Sequence, residues 1–309
     1  MKTILITGSS GFIGKYLAIN FKSGYKVIGI DLDNSSNLIC DKFYLGNICD
    51  SDIISKIFIE NNIDYIIHAA AIKSLNLCEK NKELALDVNY EATKKLYNIA
   101  KKHKSKFLYL SSDIIFNGNS GYHEEYSKKN PINYYGITKA MCEDLLMNDP
   151  DVAICRTAMV FGRVPKNQKY LFNKIKDYTT LQVQGFIIDH IIYKLKNKNN
   201  ILLSNDEFCN PTSVDLLFRQ IRRIIEFNIN GIIHCCGGER ISKYEFGKKI
   251  ATFFNLDSKL ILPIKSNDSL RPKDVSMNFK ESEDKLDMIF DDVLTMLEMG
   301  RIKKNENIY

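Results

Sequence analysis

The sequence predicts an α/β fold in which helices cover both faces of a doubly wound parallel β-sheet. Short apolar segments with the length of buried strands alternate along the chain with longer segments of helical periodicity. A glycine-rich turn joins the first strand-like segment to the first helix-like segment. No internal repeat or low-complexity stretch interrupts the alternation. We therefore expect a sheet built from repeated strand and helix units.

The N-terminal residues predict the first of these units. Residues 2–7 are apolar, residues 15–21 have helical spacing, and a G-x-x-G-x-x-G turn lies between them. Glycines allow a tight turn and a close approach to a pyrophosphate, while the helix N-terminus offers amides and a positive dipole. The unit therefore predicts a Rossmann-type dinucleotide site. The turn residues expected to contact the cofactor are Gly8, Ser10, Gly11, Phe12, Ile13 and Gly14.

The second predicted strand, residues 26–30, ends next to Asp31. A carboxylate at this position can accept hydrogen bonds from both hydroxyls of an adenosine ribose, and it would repel a 2′-phosphate. The sequence therefore favours NAD(H) over NADP(H) as the cofactor.

Further strand and helix units follow. The predicted strands are residues 64–68, 106–110, 152–155 and 231–235, and the predicted helices are residues 82–101, 134–147 and 213–226. After Gly162 the alternation loosens into a lysine-rich, helical-looking stretch, and it is lost again after residue 238. We predict an NAD-binding Rossmann domain of residues 1–162 plus about 204–238. A smaller, discontinuous substrate-binding lobe would comprise about 163–203 plus 239–309.

The composition is that of an ordinary globular chain. Hydrophobic residues make up 45% of the 309 residues, and no stretch approaches the roughly 20 apolar residues of a membrane span. The first residues form a strand and a turn instead of a charged, apolar leader. We therefore expect a cytoplasmic protein without a membrane partner.

Charge and cysteine content argue against two other classes. The net charge of +6 comes from scattered lysines without the interleaved aromatic residues of a nucleic-acid surface, so no nucleic-acid partner is expected. The eight cysteines form no C-x-x-C pair and show no zinc-like spacing with histidine. We expect reduced, buried cysteines and no bound metal.

Tyr135 and Lys139 form a Y-x-x-x-K pattern at the start of a predicted helix. Residues four apart lie on one helix face. A tyrosine hydroxyl titrates near pH ~10 unless a nearby cation stabilises the phenolate, and Lys139 is placed to be that cation. The pair alone is common on solvated helix faces. Its occurrence together with the glycine turn and Asp31 favours a catalytic role.

Nearly the whole chain resembles the extended short-chain dehydrogenases/reductases that act on nucleotide-linked sugars, and within them the dTDP-4-dehydrorhamnose reductase family. General motifs of this class are the glycine turn, His68-Ala-Ala-Ala71, Ser111-Ser-Asp-Ile-Ile-Phe-Asn-Gly118 and Asn130-Pro-Ile-Asn-Tyr-Tyr-Gly-Ile-Thr-Lys139. Segments 231–246 and 271–278 are similar to the closing motifs of the reductases.

The resemblance implies a Ser-Tyr-Lys triad. Tyr135 would protonate the carbonyl oxygen as hydride arrives, and Lys139 would lower the pKa of that tyrosine and hold the nicotinamide ribose. Ser112 would hydrogen-bond the same carbonyl, with Ser111 as the neighbouring alternative. Asn89 resembles the asparagine that stabilises the active-site helix. The other cofactor contacts implied are Asn47, Ile48, Ala69, Ala70 and Ala71.

The resemblance also implies a nucleotide-diphosphate sugar as the substrate. Arg271 is the candidate for contact with the diphosphate, because a guanidinium fork matches phosphate oxygens. The other candidates for substrate binding are Lys73, Asp113 and Asn210. We further expect a homodimer formed through the helices near 82–101 and 134–147, the usual dimer surface of extended relatives.

The leading hypothesis is NAD(P)H-dependent reduction of a 4-keto group in a nucleotide-activated deoxysugar, for deoxysugar or surface-polysaccharide biosynthesis. A 4,6-dehydratase or 4-epimerase with tightly bound NAD is the alternative. Dehydratases carry an acid and base pair beside the catalytic Ser or Thr, and here Asp113 is followed by Ile114, so half of that pair is missing. A third hypothesis is a non-catalytic regulatory subunit, because one relative of these reductases is a partner of methionine adenosyltransferase.

Overall fold

The structure is a computed structural model that describes residues 1–162 and 187–302. Its central element is a seven-stranded sheet in which all neighbouring strands are parallel. From one edge to the other the strands are Gly231–His234, Val152–Thr157, Lys106–Ser112, Tyr65–His68, Thr3–Thr7, Lys26–Asp31 and Lys42–Leu45. The predicted doubly wound parallel sheet is confirmed.

The strand order changes direction at Thr3–Thr7. The next strand along the chain, Lys26–Asp31, pairs on one side of it, and Tyr65–His68 pairs on the other. In a sheet of this kind the carboxyl ends of the strands beside the reversal leave a crevice in which ligands bind. The glycine turn that follows Thr7 therefore lies at the crevice.

Helices cover both faces of the sheet. Ile4 and Ile6 of the first strand lie in one apolar cluster and Leu5 in the other, because successive strand residues point to opposite faces. This burial on both sides explains why the strands are continuous apolar runs. The helices of the described residues are Phe12–Phe21, Ser51–Glu60, Leu75–Lys80, Lys82–Leu86, Ala92–Lys102, Tyr134–Leu146, Ile187–Lys196, Val214–Glu226, Lys243–Phe253, Lys280–Leu286 and Val293–Ile302.

Two differences from the sequence prediction concern the first half of the chain. The helix predicted at 82–101 is interrupted by a π-helical turn, Asp87–Glu91. The short strand Lys42–Leu45 and the helix Ser51–Glu60 were not predicted. Lys42–Leu45 is an edge strand with one fully buried residue, so its sequence lacks the apolar run of the inner strands.

Three small strand pairs lie outside the seven-stranded sheet. The pairs are Val160–Phe161 with Thr212–Ser213, Phe208–Cys209 with Ile241–Ser242, and Ile201–Ser204 with Ile261–Ile264. A third apolar cluster includes Ile191, Phe246 and Ile250 of the predicted lobe, whereas Val275 and Met277 of that lobe pack in a cluster of the main sheet. Residues 163–186 and 303–309 of the predicted lobe lie outside the described residues, and the domain division remains a prediction.

None of the helices in the described ranges is both long and apolar enough to cross a membrane. All eight cysteines are free thiols. In the part of the chain that the structure describes, no cluster of histidine, cysteine, aspartate and glutamate is arranged to hold a metal ion.

Candidate active site

A cleft of about 1010 Å³ lies between the carboxyl ends of the sheet strands and the second lobe. One wall comes from the glycine turn and the loops after the other strands, and the other wall comes from residues of the second lobe. The predicted site residues that line it are Gly8, Gly11, Phe12, Ile13, Gly14, Asp31, Asn47, Ile48, Ala69, Ala70, Ala71, Lys73, Ser112, Asp113, Tyr135, Lys139 and Arg271. Ser10, Asn89 and Asn210 lie outside this lining.

The backbone of the glycine turn leaves no room for side chains at two positions. Gly8 has φ +68°, and a Cβ there would lie 2.8 Å from the amide nitrogen of Ala70. A Cβ on Gly14 would lie 2.1 Å from the carbonyl oxygen of Gly8. The helix that follows begins at Phe12, and no side chain caps its N-terminus. This arrangement fits a pyrophosphate bound at backbone amides.

Asp31 is held at the end of its strand by backbone donors. Its Oδ2 accepts a hydrogen bond from the Ser10 amide at 2.9 Å, and its Oδ1 accepts one from the Asp33 amide at 3.2 Å. Ser10 therefore positions Asp31, although it does not itself line the cleft. The carboxylate stands beside the glycine turn, which is where an adenosine ribose would lie.

The three triad candidates come together from two elements. Ser112 ends the strand Lys106–Ser112, and Tyr135 and Lys139 lie one turn apart on the helix Tyr134–Leu146. The Lys139 ammonium is 5.9 Å from the centre of the Tyr135 ring, and it donates to the carbonyl oxygen of Leu110 at 2.7 Å. The helix and the strand therefore present all three side chains to one part of the cleft.

Burial controls the charge states of these residues. It lowers the pKa of Lys139 to about 8. Burial, followed by the charge of Asp113, raises the pKa of Tyr135, while a hydrogen bond with Ser112 opposes the rise. This direction differs from the predicted lowering of the tyrosine pKa by Lys139. The physical reason is that loss of hydration penalises the phenolate more than neighbouring groups stabilise it.

The two neighbouring serines have different partners. Ser112 Oγ donates to Asp113 Oδ1 at 3.0 Å and accepts from the Ile114 amide at 3.3 Å. Ser111 also lines the cleft, but its Oγ donates to Glu143 Oε1 at 2.5 Å. Burial raises the pKa of Asp113 to about 7, although the Ser112 hydroxyl opposes the rise. Ser112 is thus the serine that faces the tyrosine.

The N-terminus of the helix that carries Tyr135 is fixed by two side chains. Asn133 caps it by accepting from the Gly136 amide at 2.8 Å, and its own amide group donates to the Leu270 carbonyl at 2.9 Å. Glu79 Oε1 accepts from the Tyr134 amide at 2.6 Å. The tyrosine therefore lies on a turn that is joined to the helix Leu75–Lys80 and to the loop that contains Leu270.

Asn89 lies outside the cleft lining and joins two elements that form the cleft. It lies in the π-helical turn, its Oδ1 accepts from the Ile72 amide at 2.8 Å, and its Nδ2 donates to the Ile72 carbonyl at 3.0 Å and to Thr138 Oγ1 at 3.1 Å. It thus joins the loop after Tyr65–His68 to the helix that carries Lys139. These contacts agree with the stabilising role that the resemblance implies.

A buried ion pair beneath the triad was not predicted. Arg156 donates to both carboxylate oxygens of Glu143, at 3.0 Å and 2.8 Å, and both side chains are at most 1% exposed. Glu143 lies one turn after Lys139 on the same helix, and its charge opposes the fall in the pKa of that lysine. Glu143 and Arg156 are 13 residues apart and lie on a helix and a strand, so their pairing depends on the tertiary fold.

The substrate side of the cleft carries several charged groups. Arg271 pairs with Asp268 at 3.2 Å, and Lys243 pairs with Glu207. Lys73 lines the same cleft with its side chain exposed. The sequence did not indicate Lys243 or Glu207, because nothing in their local pattern separates them from surface residues.

Asn210 has a structural role instead of a place in the cleft. Its Oδ1 accepts from the Met277 amide at 2.8 Å, and its Nδ2 donates to the Gly237 carbonyl at 3.3 Å. Both groups of the amide are therefore used to join segments beneath the cleft. The hydroxyl group of Thr212 donates to the Asn210 carbonyl at 3.0 Å.

The seven-stranded Rossmann-type sheet and the Ser112, Tyr135 and Lys139 constellation at its edge define an extended short-chain dehydrogenase/reductase. A family model, the RmlD substrate binding domain, matches residues 1–296. The chain therefore belongs to this family. Solved structures similar to the chain include dTDP-4-dehydrorhamnose reductases, and the predicted resemblance is confirmed.

Individual similar proteins include dTDP-4-dehydrorhamnose reductases and a methionine adenosyltransferase subunit. A hypothetical dTDP-4-dehydrorhamnose reductase from Sulfolobus tokodaii has 28% identity and a TM-score of 0.78, covering 94% of this chain and 97% of that chain. The NADP complex of dTDP-4-dehydrorhamnose reductase from Bacillus anthracis has 22% identity and a TM-score of 0.81, covering 98% and 99%. Methionine adenosyltransferase 2 subunit beta from Xenopus laevis is 27% identical over 266 residues, 84% of this chain and 74% of its own.

Proposed function

We propose that this protein catalyses the NAD(P)H-dependent reduction of a 4-keto group in a nucleotide-activated deoxysugar. The observation that carries the proposal is that Ser112, Tyr135 and Lys139 face one cleft that also contains the glycine turn. The relatives named as dTDP-4-dehydrorhamnose reductases support the substrate class. We assign the proposed reaction to deoxysugar or surface-polysaccharide biosynthesis.

The glycine turn and Asp31 fit a nicotinamide dinucleotide. The glycines let the turn pack tightly, the uncapped helix N-terminus after it offers backbone amides to a pyrophosphate, and Asp31 would accept from the ribose hydroxyls. We propose NAD(H) as the preferred form because the carboxylate would repel a 2′-phosphate. Similar proteins have been solved with NADP and with NAD. When bound, the cofactor supplies the hydride.

The residues of this chain supply the remaining chemistry. Tyr135 donates its proton to the carbonyl oxygen as the carbon is reduced, and its raised pKa keeps it protonated near neutral pH. Ser112 hydrogen-bonds the same oxygen and opposes the build-up of negative charge. Lys139 holds a positive charge beside both. Arg271 and Lys73 are proposed to bind the diphosphate and the sugar.

The test is consumption of NADH and NADPH by the purified protein with dTDP-, UDP- and GDP-linked 4-keto-6-deoxy sugars. We expect Tyr135→Phe to lower kcat by a factor of about 10² to 10⁴, because the proton donor is lost. Tyr134→Phe is the matched control, since Tyr134 is the preceding residue of the same helix and contacts Lys82 instead. No oxidation with any of the sugars would contradict the proposal.

The dehydratase or epimerase alternative shares Tyr135 and Lys139. Ile114 lies in the cleft lining next to Asp113, so an apolar side chain occupies the position where a dehydratase would carry its second acid or base. Tightly bound NAD⁺ in the purified protein, with no turnover of added NADH, would favour this alternative.

The similarity to methionine adenosyltransferase 2 subunit beta favours a second candidate, a regulatory subunit. Retention of Ser112, Tyr135 and Lys139 favours catalysis, because a pure binding module does not require them. A stable complex with a methionine adenosyltransferase, together with no ketone reduction, would support the regulatory role. The expected homodimer through the helices near 82–101 and 134–147 is likewise a proposal.

A further inference from the structure

The hydroxyl group of Ser112 has one hydrogen and lies within hydrogen-bond distance of the Asp113 carboxyl group. Ser112 Oγ donates to Asp113 Oδ1 at 3.0 Å and accepts from the Ile114 amide at 3.3 Å. A serine hydroxyl donates a single hydrogen bond. While Asp113 is ionised, Ser112 cannot satisfy this carboxylate and also donate to the carbonyl oxygen of a substrate.

We propose that Asp113 is a proton-dependent positioning residue that decides whether Ser112 can donate to the substrate. When its carboxyl group is protonated, Asp113 donates to Ser112 Oγ and leaves the serine hydrogen free for the ketone oxygen. When it is ionised, it keeps that hydrogen. Asp113 retains its own proton during the reaction, because Tyr135 supplies the proton that the reduced oxygen gains. The inference rests on the proposed ketone reduction.

The surroundings of Asp113 favour its neutral form. The residue is 5% exposed. It interacts with Tyr135 of the helix, Cys209 of the short strand Phe208–Cys209 and Cys236 beyond the edge strand, none of which is a cation. Burial is the largest influence and raises the pKa of Asp113 to about 7, so both forms are populated near neutral pH. Hydrogen bonds from the Ser112 hydroxyl and from the backbone amides of Ile114 and Asp113, together with the positive charge of Arg271, oppose the rise.

The role predicts a specific pH dependence. As pH rises through the pKa of Asp113, kcat/KM for ketone reduction should fall, because the ionised carboxylate withdraws the hydrogen of Ser112. Asp113→Asn should abolish this fall, since an amide nitrogen can donate to Ser112 Oγ as the protonated carboxyl group does. Asp151→Asn is the matched control. Asp151 is exposed and precedes the amino end of the strand Val152–Thr157, whereas the cleft lies at the carboxyl ends of the strands. This variant should therefore keep the wild-type pH profile.

A double-variant comparison separates this role from a direct effect of the Asp113 charge on Tyr135. The fall in kcat/KM should be absent from Ser112→Ala, and adding Asp113→Asn to Ser112→Ala should change kcat/KM by less than about twofold at any pH. If the fall persists in Ser112→Ala, the charge acts on Tyr135 directly and the proposal is overturned.

Infrared difference spectra of the full-length wild type against Asp113→Asn provide a readout that does not need activity. We expect a protonated-carboxyl stretching band at mildly acid pH that is missing from Asp113→Asn and disappears as pH rises through neutrality. Lack of this band would overturn the proposal even in an active reductase. A band in a protein that reduces no 4-keto sugar would instead contradict the proposed function, and with it the role assigned to Ser112.

Discussion

At the scale of single residues, burial in the cleft determines which groups carry charge. The pKa of Tyr135 is raised, so the tyrosine keeps its proton near neutral pH. The pKa of Lys139 is lowered to about 8, which leaves most of the lysine cationic near neutrality. Both states suit a step in which a proton is donated and negative charge develops on a carbonyl oxygen.

Asp113 should make stability depend on pH. Its folded-state pKa of about 7 lies above the ordinary 3.8, so its stabilising contribution is complete below pH 3.8 and is lost as pH rises through 7. The loss is on the order of 4 kcal/mol, since each pKa unit corresponds to about 1.4 kcal/mol. Asp113→Asn should therefore gain Tm relative to the wild type as pH rises. A Tm difference that does not vary with pH, measured by calorimetry, would contradict this expectation.

Asp31 should determine the choice of cofactor. Asp31→Asn keeps an oxygen that can accept from the Ser10 amide but removes the charge that would repel a 2′-phosphate. We expect the ratio of kcat/KM for NADH to that for NADPH to shift toward NADPH by about tenfold or more. Asp33→Asn, two residues further along, should leave the ratio unchanged. Equal NADH to NADPH ratios of kcat/KM in the wild type and Asp31→Asn would show that Asp31 does not determine the cofactor preference.

At the scale of elements, the helix Tyr134–Leu146 is the part of the fold that positions the site. Asn133 and Glu79 fix its first turn, Asn89 bonds to Thr138 in its middle, and Glu143 joins its end to Arg156. The contacts from Glu79, Asn89 and Arg156 come from a helix, the π-helical turn and a strand, respectively. The orientation of Tyr135 and Lys139 is therefore a property of the packed helix and not of the local sequence.

Glu143→Gln should destabilise the protein strongly. It leaves the guanidinium of Arg156, 1% exposed, without an anionic partner, and breaking a buried pair in this way costs about 3–5 kcal/mol. Asp144→Asn is the control on the same helix, because its carboxylate is 65% exposed and pairs with Lys129. An exposed pair contributes about 1 kcal/mol or less. Comparable urea midpoints for the two variants would show that the buried pair is not a major source of stability.

At the scale of the whole molecule, the cleft is formed by two cores. The Rossmann-type sheet supplies the glycine turn and the triad, while Glu207, Lys243 and the loop with Arg271 line the other wall. A ligand that reaches across the cleft contacts both parts. Its binding energy should therefore appear as stability of the whole chain.

A nucleotide diphosphate should raise the Tm of the protein. With dTDP at about 100 times its Kd, the stabilisation is about 2.7 kcal/mol, which corresponds to a Tm rise of roughly 5 °C. Arg271→Ala should reduce this rise at the same dTDP concentration, because the proposed phosphate contact is removed. Arg222→Ala, which removes an exposed arginine paired with Glu226, should retain it. An undiminished rise in Arg271→Ala would place the diphosphate elsewhere.

The sequence by itself determined the fold class and predicted most of the side chains that line the cleft. The predictive patterns are local in the sequence. A strand buried on both faces requires a continuous apolar run, and the φ of +68° at Gly8 favours glycine. The Y-x-x-x-K spacing places two side chains on one helix face. The sequence also singled out Ser112, Asp113 and Arg271, all of which line the cleft.

The tertiary structure alone decided which distant groups meet and how they are charged. It paired Glu143 with Arg156, gave Ser111 and Ser112 different partners, and placed Asn210 beneath the cleft instead of in it. It also reversed the expected pKa direction of Tyr135. The physical reason is that burial and hydrogen bonding depend on every segment packed around a group, and those segments are far apart in the sequence.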